Sequence, residues 1–171
     1  GLVGSEMCIR DSHHSHHHHH HHHLHHQHHH HHIIIIIISI IVVVIGHQWW
    51  WEFRYYFTED VDADFLDDPR NLPPADIVTA GQMVIPTGQE VELLVTSRDV
   101  IHSFWIPALN GKRDARPGFF APWEISADEP GVYFGQCTEF CGLSHAKMRM
   151  QTIAMNDADF QNWICLLYTS D

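Results

Sequence analysis

The sequence predicts an all-β fold, a sandwich or barrel of short strands that begins after residue 45. Short apolar stretches recur between residues 76 and 155, and clusters of Gly, Pro, Asn or Asp separate them. Several of these stretches alternate apolar and polar residues, as half-buried strands do. The stretch from Asn156 to Trp163 has the pattern of a short helix, with a capping Asn or Asp at its start.

The two ends of the chain have an unusual composition. Residues 7–12 (MCIRDS) and 165–170 (CLLYTS) can be back-translated onto opposite strands of one short DNA sequence. We therefore expect the segments 1–12 and 165–171 to be non-native additions, and Cys8 and Cys165 are given no role.

Residues 13–45 are a His-rich tract followed by an Ile/Val run. Of the 20 histidines in the chain, 17 lie between residues 13 and 32, and residues 33–45 are Ile or Val except Ser39. A repeated CAT triplet encodes His in one reading frame and Ile in the next. A shift of the reading frame within such a repeat would therefore change the encoded residues from His to Ile. A purification tag or a metal-binding tract is the alternative.

The Ile/Val run is shorter than a transmembrane helix, which needs about 20 apolar residues. We nevertheless interpret it as the remnant of a transmembrane segment, or its replacement, because it directly precedes an aromatic run. The predicted organisation is an appendage over 1–45, one folded domain over 46–164 and a tail over 165–171.

The aromatic run extends from Trp49 to Phe57 (WWWEFRYYF). Aromatic residues are frequent in strands, and Trp and Tyr also gather where a membrane meets water. We predict that this run is a strand close to a membrane.

An acidic run without a basic residue follows, and prolines come after it. Such a run is usually a solvated loop, and its alternative function is to dock a basic protein. Its members are Glu59, Asp60, Asp62, Asp64, Asp67 and Asp68.

The charge balance argues against a nucleic-acid partner. Residues 46–164 contain 18 acidic and 8 basic residues, a balance of 8 − 18 = −10. Nucleic-acid binding needs basic patches, whereas an acidic surface attracts a basic partner.

The stretch from Gly135 to Met148 (GQCTEFCGLSHAKM) contains most of the candidate metal-binding residues. It places two thiols, an imidazole and a thioether at the spacing C-x3-C-x3-H-x2-M. Thiolates and thioethers are soft ligands that favour copper, and imidazole suits copper too, whereas a Met would be unusual on zinc. With one more histidine the loop could hold two copper ions. A disulfide between Cys137 and Cys141 is the alternative.

His102 is the candidate for the second imidazole. Outside the His-rich tract the chain has three histidines, and His102 lies 35 residues before Cys137, where a predicted strand starts. A lone His next to Phe104 and Trp105 would more often be an ordinary core residue, but the loop needs a second imidazole and few histidines are available, so we favour His102 as the ligand.

Four segments together resemble the copper domain of cytochrome c oxidase subunit II. One of them, GHQWWW at 46–51, is similar to that family's junction between its second membrane helix and the copper domain. The segments are Gly46–Trp51, Asp99–Trp105, Gly111–Gly118 and Gly135–Met148.

The resemblance implies a cupredoxin-like Greek-key β-barrel or sandwich with a dinuclear copper centre, CuA. Cys137 and Cys141 would bridge the two coppers, and His102 and His145 would each bind one. Met148 and the carbonyl of Glu139 would be weak ligands. The Glu139 carboxylate would reach a magnesium ion shared with the catalytic subunit.

The same resemblance implies that electrons enter from cytochrome c at Trp49, with Trp51 and Tyr55 as helpers. They would pass to the haem-copper catalytic subunit, subunit I, which reduces oxygen and pumps protons. The domain would face the periplasm or intermembrane space from a membrane-bound complex. A hydrophobic shell of Phe104, Trp105, Phe134 and Phe140 would keep water from the centre.

Three alternatives remain at this point. The CuA domain of nitrous oxide reductase has a similar ligand loop, although a soluble reductase would lack the segment GHQWWW. A single-copper electron carrier would use one cysteine. A noncatalytic subunit II would lack the copper ligands, which are all present here.

Overall fold

Two five-stranded sheets pack face to face in the computed structural model, which describes residues 39–58 and 67–168. The predicted all-β sandwich is thus confirmed. The strands of this part of the chain are β1 (Ser39–His47), β2 (Trp50–Thr58), β3 (Ile77–Ala80), β4 (Gln82–Pro86), β5 (Val91–Ser97), β6 (His102–Ile106), β7 (Asn110–Ala115), β8 (Ala121–Ile125), β9 (Gly131–Cys137) and β10 (Arg149–Met155). A helix, α1, follows at Asp157–Tyr168.

The strand order is β3-β2-β1-β5-β8 in the first sheet and β4-β10-β9-β6-β7 in the second. The chain changes sheet repeatedly, from β3 to β4, from β4 to β5 and from β5 to β6, so neighbours in sequence often lie in different sheets. Strands β1 and β5 are parallel, as are β4 and β10, and the other pairs are antiparallel. Such crossings between two sheets are typical of Greek-key sandwiches.

The Ile/Val run was predicted as a membrane-helix remnant, and the structure corrects this for its described half. Residues 39–45 belong to β1, a central strand of the first sheet. Val42 and Val44 face the main core, whereas Ile41, Val43 and Ile45 pack in a second cluster on the other face of the sheet. A strand that is buried on both faces needs apolar residues at every position, so it lacks the usual alternation. Residues 33–38 lie outside the described part.

The second cluster is covered by the chain itself. Leu72, Ala75 and Phe120 pack against it, and the Tyr56 hydroxyl donates a hydrogen bond to the carbonyl of Pro73 at 3.0 Å. The segment after the acidic run therefore closes the outer face of the first sheet.

The main core lies between the sheets. Trp51 meets Phe104 edge to face with ring centroids 5.1 Å apart, which joins β2 to β6 across the sandwich. Helix α1 covers one open side, where Trp163 contacts the Tyr55 ring at 5.3 Å. The side chain of Asn156 caps this helix as predicted, because its Oδ1 accepts a hydrogen bond from the Asp159 N–H at 2.9 Å.

The predicted aromatic strand is β2, and the apolar stretches after residue 76 correspond to β3–β6 and β8–β10. Strand β7 was not predicted, because its side chains from Asn110 to Asp114 are all exposed and it lies at a sheet edge. Helix α1 runs into the segment expected to be a non-native tail. Among the described residues, no helix is long and apolar enough to cross a membrane.

Candidate metal centre

The loop between β9 and β10, residues 137–148, is called the cysteine loop below. Cys137 is the last residue of β9, and Met148 directly precedes β10. The ends of the loop are fastened together, because the Cys137 N–H donates to the Met148 carbonyl at 2.9 Å. A short 3₁₀ turn, His145–Lys147, brings the His145 ring back toward the cysteines.

His102 reaches this loop through sheet pairing. Strand β6 lies beside β9 with Phe104 opposite Cys137, and the Thr138 N–H donates to the Ser103 carbonyl at 2.9 Å. The pairing brings together two residues that are 35 positions apart. The tertiary structure therefore confirms that His102 lies at the cysteine loop.

The five side chains form a short row of donor atoms. Cys137 Sγ lies 3.8 Å from His102 Nδ1 and 3.8 Å from Cys141 Sγ. Cys141 Sγ lies 3.5 Å from His145 Nδ1 and 3.8 Å from Met148 Sδ. The cysteines occupy the middle of the row, and an imidazole lies near each end.

The row is shielded from water. Cys137, Cys141, His102 and Met148 are buried, and His145 is half-buried. The ligand atoms of His102, Cys137 and Cys141 all lie within 4.8 Å of one another, which is close enough to share a metal ion. Both cysteines are free thiols, so the alternative of a disulfide does not describe this structure.

Asp99 holds the His102 ring. Asp99 Oδ1 lies 2.8 Å from His102 Nε2, which leaves Nδ1 directed at Cys137. Such a carboxylate orients a metal-binding imidazole. Burial opposes the charged form of each group, but the hydrogen bonds between them and to their neighbours lower the pKa of Asp99 and raise the pKa of His102.

The two thiols have different acidities. Burial would raise the pKa of Cys137, but the nearby His102 ring and backbone groups of Ser103 and Glu139 outweigh it and lower that pKa. Burial and the negative charge on Cys137 raise the pKa of Cys141. The apoprotein thus favours one thiolate in the pair.

The turn between β1 and β2 lies against the cysteine loop, and the segment 46–51 forms the end of β1, this turn and the start of β2. The Trp49 indole Nε1–H donates to the Cys141 carbonyl at 3.1 Å, and the Gln48 Nε2 amide donates to the same oxygen at 2.7 Å. Trp49 is half-buried, and its neighbour Trp50 is 41% exposed. The surface tryptophan predicted from the motif therefore contacts Cys141, one of the predicted ligands, directly.

Gly46 makes room for the His102 ring. A Cβ atom on Gly46 would lie 2.7 Å from His102 Cδ2, so the imidazole packs against bare backbone. Gly46, Gln48 and Asp99 were not among the predicted site residues. All three lie within segments that carry the family resemblance, 46–51 and 99–105, and Asp99 could also have been suspected from its spacing three residues before His102.

Trp51 and Tyr55, which were predicted to assist electron entry at Trp49, lie in different environments. Trp51 is fully buried, and its ring meets the edge of His102 at 5.9 Å. Tyr55 is also fully buried, but its hydroxyl is bonded to the backbone of Val84 in β4. Trp51 therefore touches the centre, and Tyr55 joins the two sheets.

The predicted hydrophobic shell is only partly correct. Phe104 is buried and Trp105 half-buried, but Phe134 is 67% and Phe140 76% exposed, so neither of these two covers the centre. Met148 and Trp51 take part in the shielding instead. Glu139 has an exposed side chain, and its carbonyl oxygen lies 3.2 Å from Cys137 Sγ.

The predicted acidic docking residues lie mostly outside the described part of the chain, since residues 59–66 are not included in it. Asp67 is exposed, and Asp68 pairs with Arg70. The hydrogen bond from Arg70 lowers the pKa of Asp68.

A two-sheet β-sandwich with buried Cys, His and Met donors at one end defines a metal-binding domain of the cupredoxin-like class. The model of the family "cytochrome c oxidase subunit II, periplasmic domain" matches residues 40–155. The chain belongs to that family. The nitrous oxide reductase alternative is therefore not favoured.

Individual relatives agree with this assignment. The cytochrome c oxidase subunit 2 of Alkalihalophilus pseudofirmus is 47% identical over 87 residues, which cover 50% of this chain and 25% of the relative. The probable subunit 2 of Rickettsia prowazekii is 42% identical over 85 residues, 50% of this chain and 27% of that protein. The chain thus spans about a quarter of the length of these relatives.

Solved structures match the domain itself. The periplasmic domain of subunit II (CoxB) of Bradyrhizobium japonicum superposes with a TM-score of 0.59 at 27% identity, and the match covers 76% of this chain and 94% of that domain. A second structure is described as a mixed disulfide intermediate between the thioredoxin-like protein TlpAs and subunit II. It matches with a TM-score of 0.56 at 27% identity, over 74% of this chain and 90% of that one.

Proposed function

We propose that this chain is the electron-transfer subunit of a terminal respiratory oxidase and that its domain holds a dinuclear copper centre, CuA. The buried row of two thiols, two imidazoles and a thioether carries the proposal, since neighbouring donor atoms lie 3.5–3.8 Å apart. Soft sulfur donors with imidazole are the set that copper prefers. With copper bound, the centre would take up and release one electron at a time.

The order of the donors supports two metal ions instead of one. The cysteines lie in the middle of the row, where each thiolate can be shared between two ions, and one imidazole is available for each ion. Met148 lies next to Cys141, and the Glu139 carbonyl lies next to Cys137, so each side also has a weaker donor. We assign His102, Cys137, Cys141, His145, Met148 and the Glu139 carbonyl as the copper ligands.

The chain's own contacts hold the ligands before any metal binds. Asp99 is hydrogen-bonded to the His102 ring, and this ring packs against the bare backbone of Gly46. The hydrogen bond from the Cys137 N–H to the Met148 carbonyl joins the two ends of the cysteine loop. Fast electron transfer requires ligands that move little when the charge changes. A donor set placed on a rigid sandwich and shielded from water meets that requirement.

The donor of electrons would be cytochrome c, and the acceptor would be the haem-copper catalytic subunit, which reduces oxygen to water and pumps protons. Trp49 is our candidate for the point where electrons enter, because its indole N–H contacts the Cys141 carbonyl. The acidic residues between Glu59 and Asp68 would attract a basic cytochrome. The exposed Glu139 carboxylate would be free to share a magnesium ion with the catalytic subunit.

We place the domain on the periplasmic side of a membrane-bound oxidase, or on the equivalent intermembrane-space side. The description of the family as a periplasmic domain supports this location. A copper-free, structural role is disfavoured because the complete donor set is present and its members lie together.

The test is to measure copper per chain and to record the visible and electron paramagnetic resonance (EPR) spectra of the 171-residue protein. The 17 histidines between residues 13 and 32 will bind copper of their own. The matched control is therefore the variant with both Cys137→Ser and Cys141→Ser, which keeps that tract. We expect two more coppers per chain than in the control and hyperfine structure from one electron shared by two copper nuclei. A single extra copper with a one-nucleus spectrum would refute the dinuclear centre.

We also propose that molecular oxygen oxidises the cysteine pair to a disulfide before copper is loaded, the two thiols giving two electrons and two protons to oxygen to form hydrogen peroxide. A thioredoxin-like dithiol then returns two electrons and two protons and itself becomes a disulfide. The relative whose structure is a mixed disulfide with a thioredoxin-like protein supports this step. The sulfurs are 3.8 Å apart, whereas a disulfide bond is about 2.0 Å long, so only a local movement would be needed. A thioredoxin-like reductase should reduce the oxidised chain and restore its ability to bind copper, and failure to restore it would contradict this step.

A further inference from the structure

Gln48 is hydrogen-bonded both to the cysteine loop and to Asp99, the residue that holds the His102 ring. Its side-chain Nε2 donates to the Cys141 carbonyl at 2.7 Å, in the cysteine loop. Its backbone N–H donates to Asp99 Oδ2 at 2.7 Å, and the other oxygen of that carboxylate lies 2.8 Å from His102 Nε2. One residue of the β1–β2 turn is thus bonded to both ligand-bearing parts of the fold.

The Cys141 carbonyl is held from two directions. A carbonyl oxygen has two lone pairs, and here the amide of Gln48 and the indole N–H of Trp49 occupy both. The packing is tight at this point, because a Cβ atom on Gly142 would lie 3.0 Å from Gln48 Nε2 and 3.1 Å from the Trp49 ring. Gly142 also has a φ of 119°, a conformation that favours glycine.

We infer that Gln48 is a positioning residue, which holds the cysteine loop at its distance from the strand that carries His102. The two sulfurs lie 3.8 Å apart and must approach to about 2.0 Å before they can form a disulfide. The loop around Cys141 has to deform for that approach, and the hydrogen bond from Gln48 opposes the deformation. The inference rests on the proposed function only for its copper measurements.

The experiment compares variants of the full chain. Gln48→Met keeps the length of the side chain but removes the donor, and Gln48→Asn keeps the amide but makes it too short. Gln89→Met is the matched control, because Gln89 is exposed in the turn between β4 and β5 at the opposite end of the sandwich.

The first measurement uses the metal-free protein in air. Mass spectrometry of the peptide that contains Cys137 and Cys141 follows the formation of their disulfide, which excludes the other cysteines from the result. One hydrogen bond contributes about 1 kcal/mol, so Gln48→Met and Gln48→Asn should oxidise about fivefold faster. Gln89→Met should oxidise at the wild-type rate.

The second measurement is the EPR spectrum after loading with copper. We expect altered hyperfine splitting in Gln48→Met and the wild-type spectrum in Gln89→Met, whereas a purely structural residue would change stability alone. Wild-type oxidation rates in both loss variants would overturn the inference. If the wild-type chain took up no copper at the loop, the proposed function would fail, and the oxidation rates would still decide the role of Gln48.

Discussion

Replacing Gly46 by alanine tests whether the close approach of β1 sets the position of His102, a proposed copper ligand. The new Cβ would lie 2.7 Å from Cδ2, 2.9 Å from Cγ and 3.3 Å from Cβ of His102. Ordinary contacts begin at 3.4 Å, so the ring would have to retreat by roughly 0.7 Å (3.4 less 2.7). The ring is fully buried and bonded to Asp99, so it cannot retreat freely.

The size of the effect follows from these contacts. Overpacking of a core costs about 1–3 kcal/mol, and weakening a hydrogen bond to a charged group adds to it. We expect Gly46→Ala to lower the free energy of unfolding by about 2 kcal/mol or more. The displaced ring should also reduce the copper bound at the loop, because His102 Nδ1 would no longer lie beside Cys137.

The assay is urea unfolding followed by circular dichroism, together with copper per chain relative to the double Cys→Ser control. Gly111→Ala is the matched glycine variant, because its Cβ would have Trp123 as its nearest atom at 3.9 Å. Gly135→Ala is a second control: its Cβ would lie 2.5 Å from Met150 Cε, away from His102, so it should cost stability for a different reason. If Gly46→Ala unfolds within about 0.5 kcal/mol of Gly111→Ala and binds copper normally, the reasoning is wrong.

Three further predictions concern other parts of the chain. Tyr55→Phe should destabilise the fold by about 2 kcal/mol without changing copper content, because the hydroxyl bonds both the N–H and the carbonyl of Val84 in edge strand β4; an unchanged urea midpoint would contradict this. In the metal-free protein, limited alkylation read by peptide mass spectrometry should give a rate at Cys137 that levels off at a lower pH than for an ordinary thiol, because its pKa is lowered, whereas the rate at Cys141 should still be rising at that pH, because its pKa is raised. The alkylation rate rises with pH because the thiolate is the reactive form of cysteine. Identical pH profiles at Cys137 and Cys141 would refute this prediction. Neutralising three acidic residues should slow association with cytochrome c at low salt and flatten its salt dependence, and an unchanged dependence would count against the docking role. The residues are Asp60, Asp62 and Asp64.

The strands that sequence patterns predicted well are those with one buried face. Strand β10 alternates buried and partly exposed residues, and that alternation is visible in its sequence. The two failures have opposite causes. Strand β1 is buried on both faces and therefore resembles a membrane segment, whereas β7 is an exposed edge strand whose residues carry no apolar signal.

The sequence by itself determined the donor set. Sulfur and imidazole ligands are rare enough, and four of the five lie close enough together between Cys137 and Met148, that their spacing indicates a soft metal. His102 was the candidate for the second imidazole because few histidines lie outside the His-rich tract, and the fold then placed its Nδ1 3.8 Å from Cys137 Sγ.

Only the tertiary structure decided what surrounds those donors. The contact of Gln48 with Cys141 joins residues 93 positions apart, and its contact with Asp99 joins residues 51 positions apart. The fit of Gly46 against His102 depends on two strands in different sheets. Such contacts arise from strand order and register, which are set by the burial of the whole core, so no local pattern of residues could have shown them.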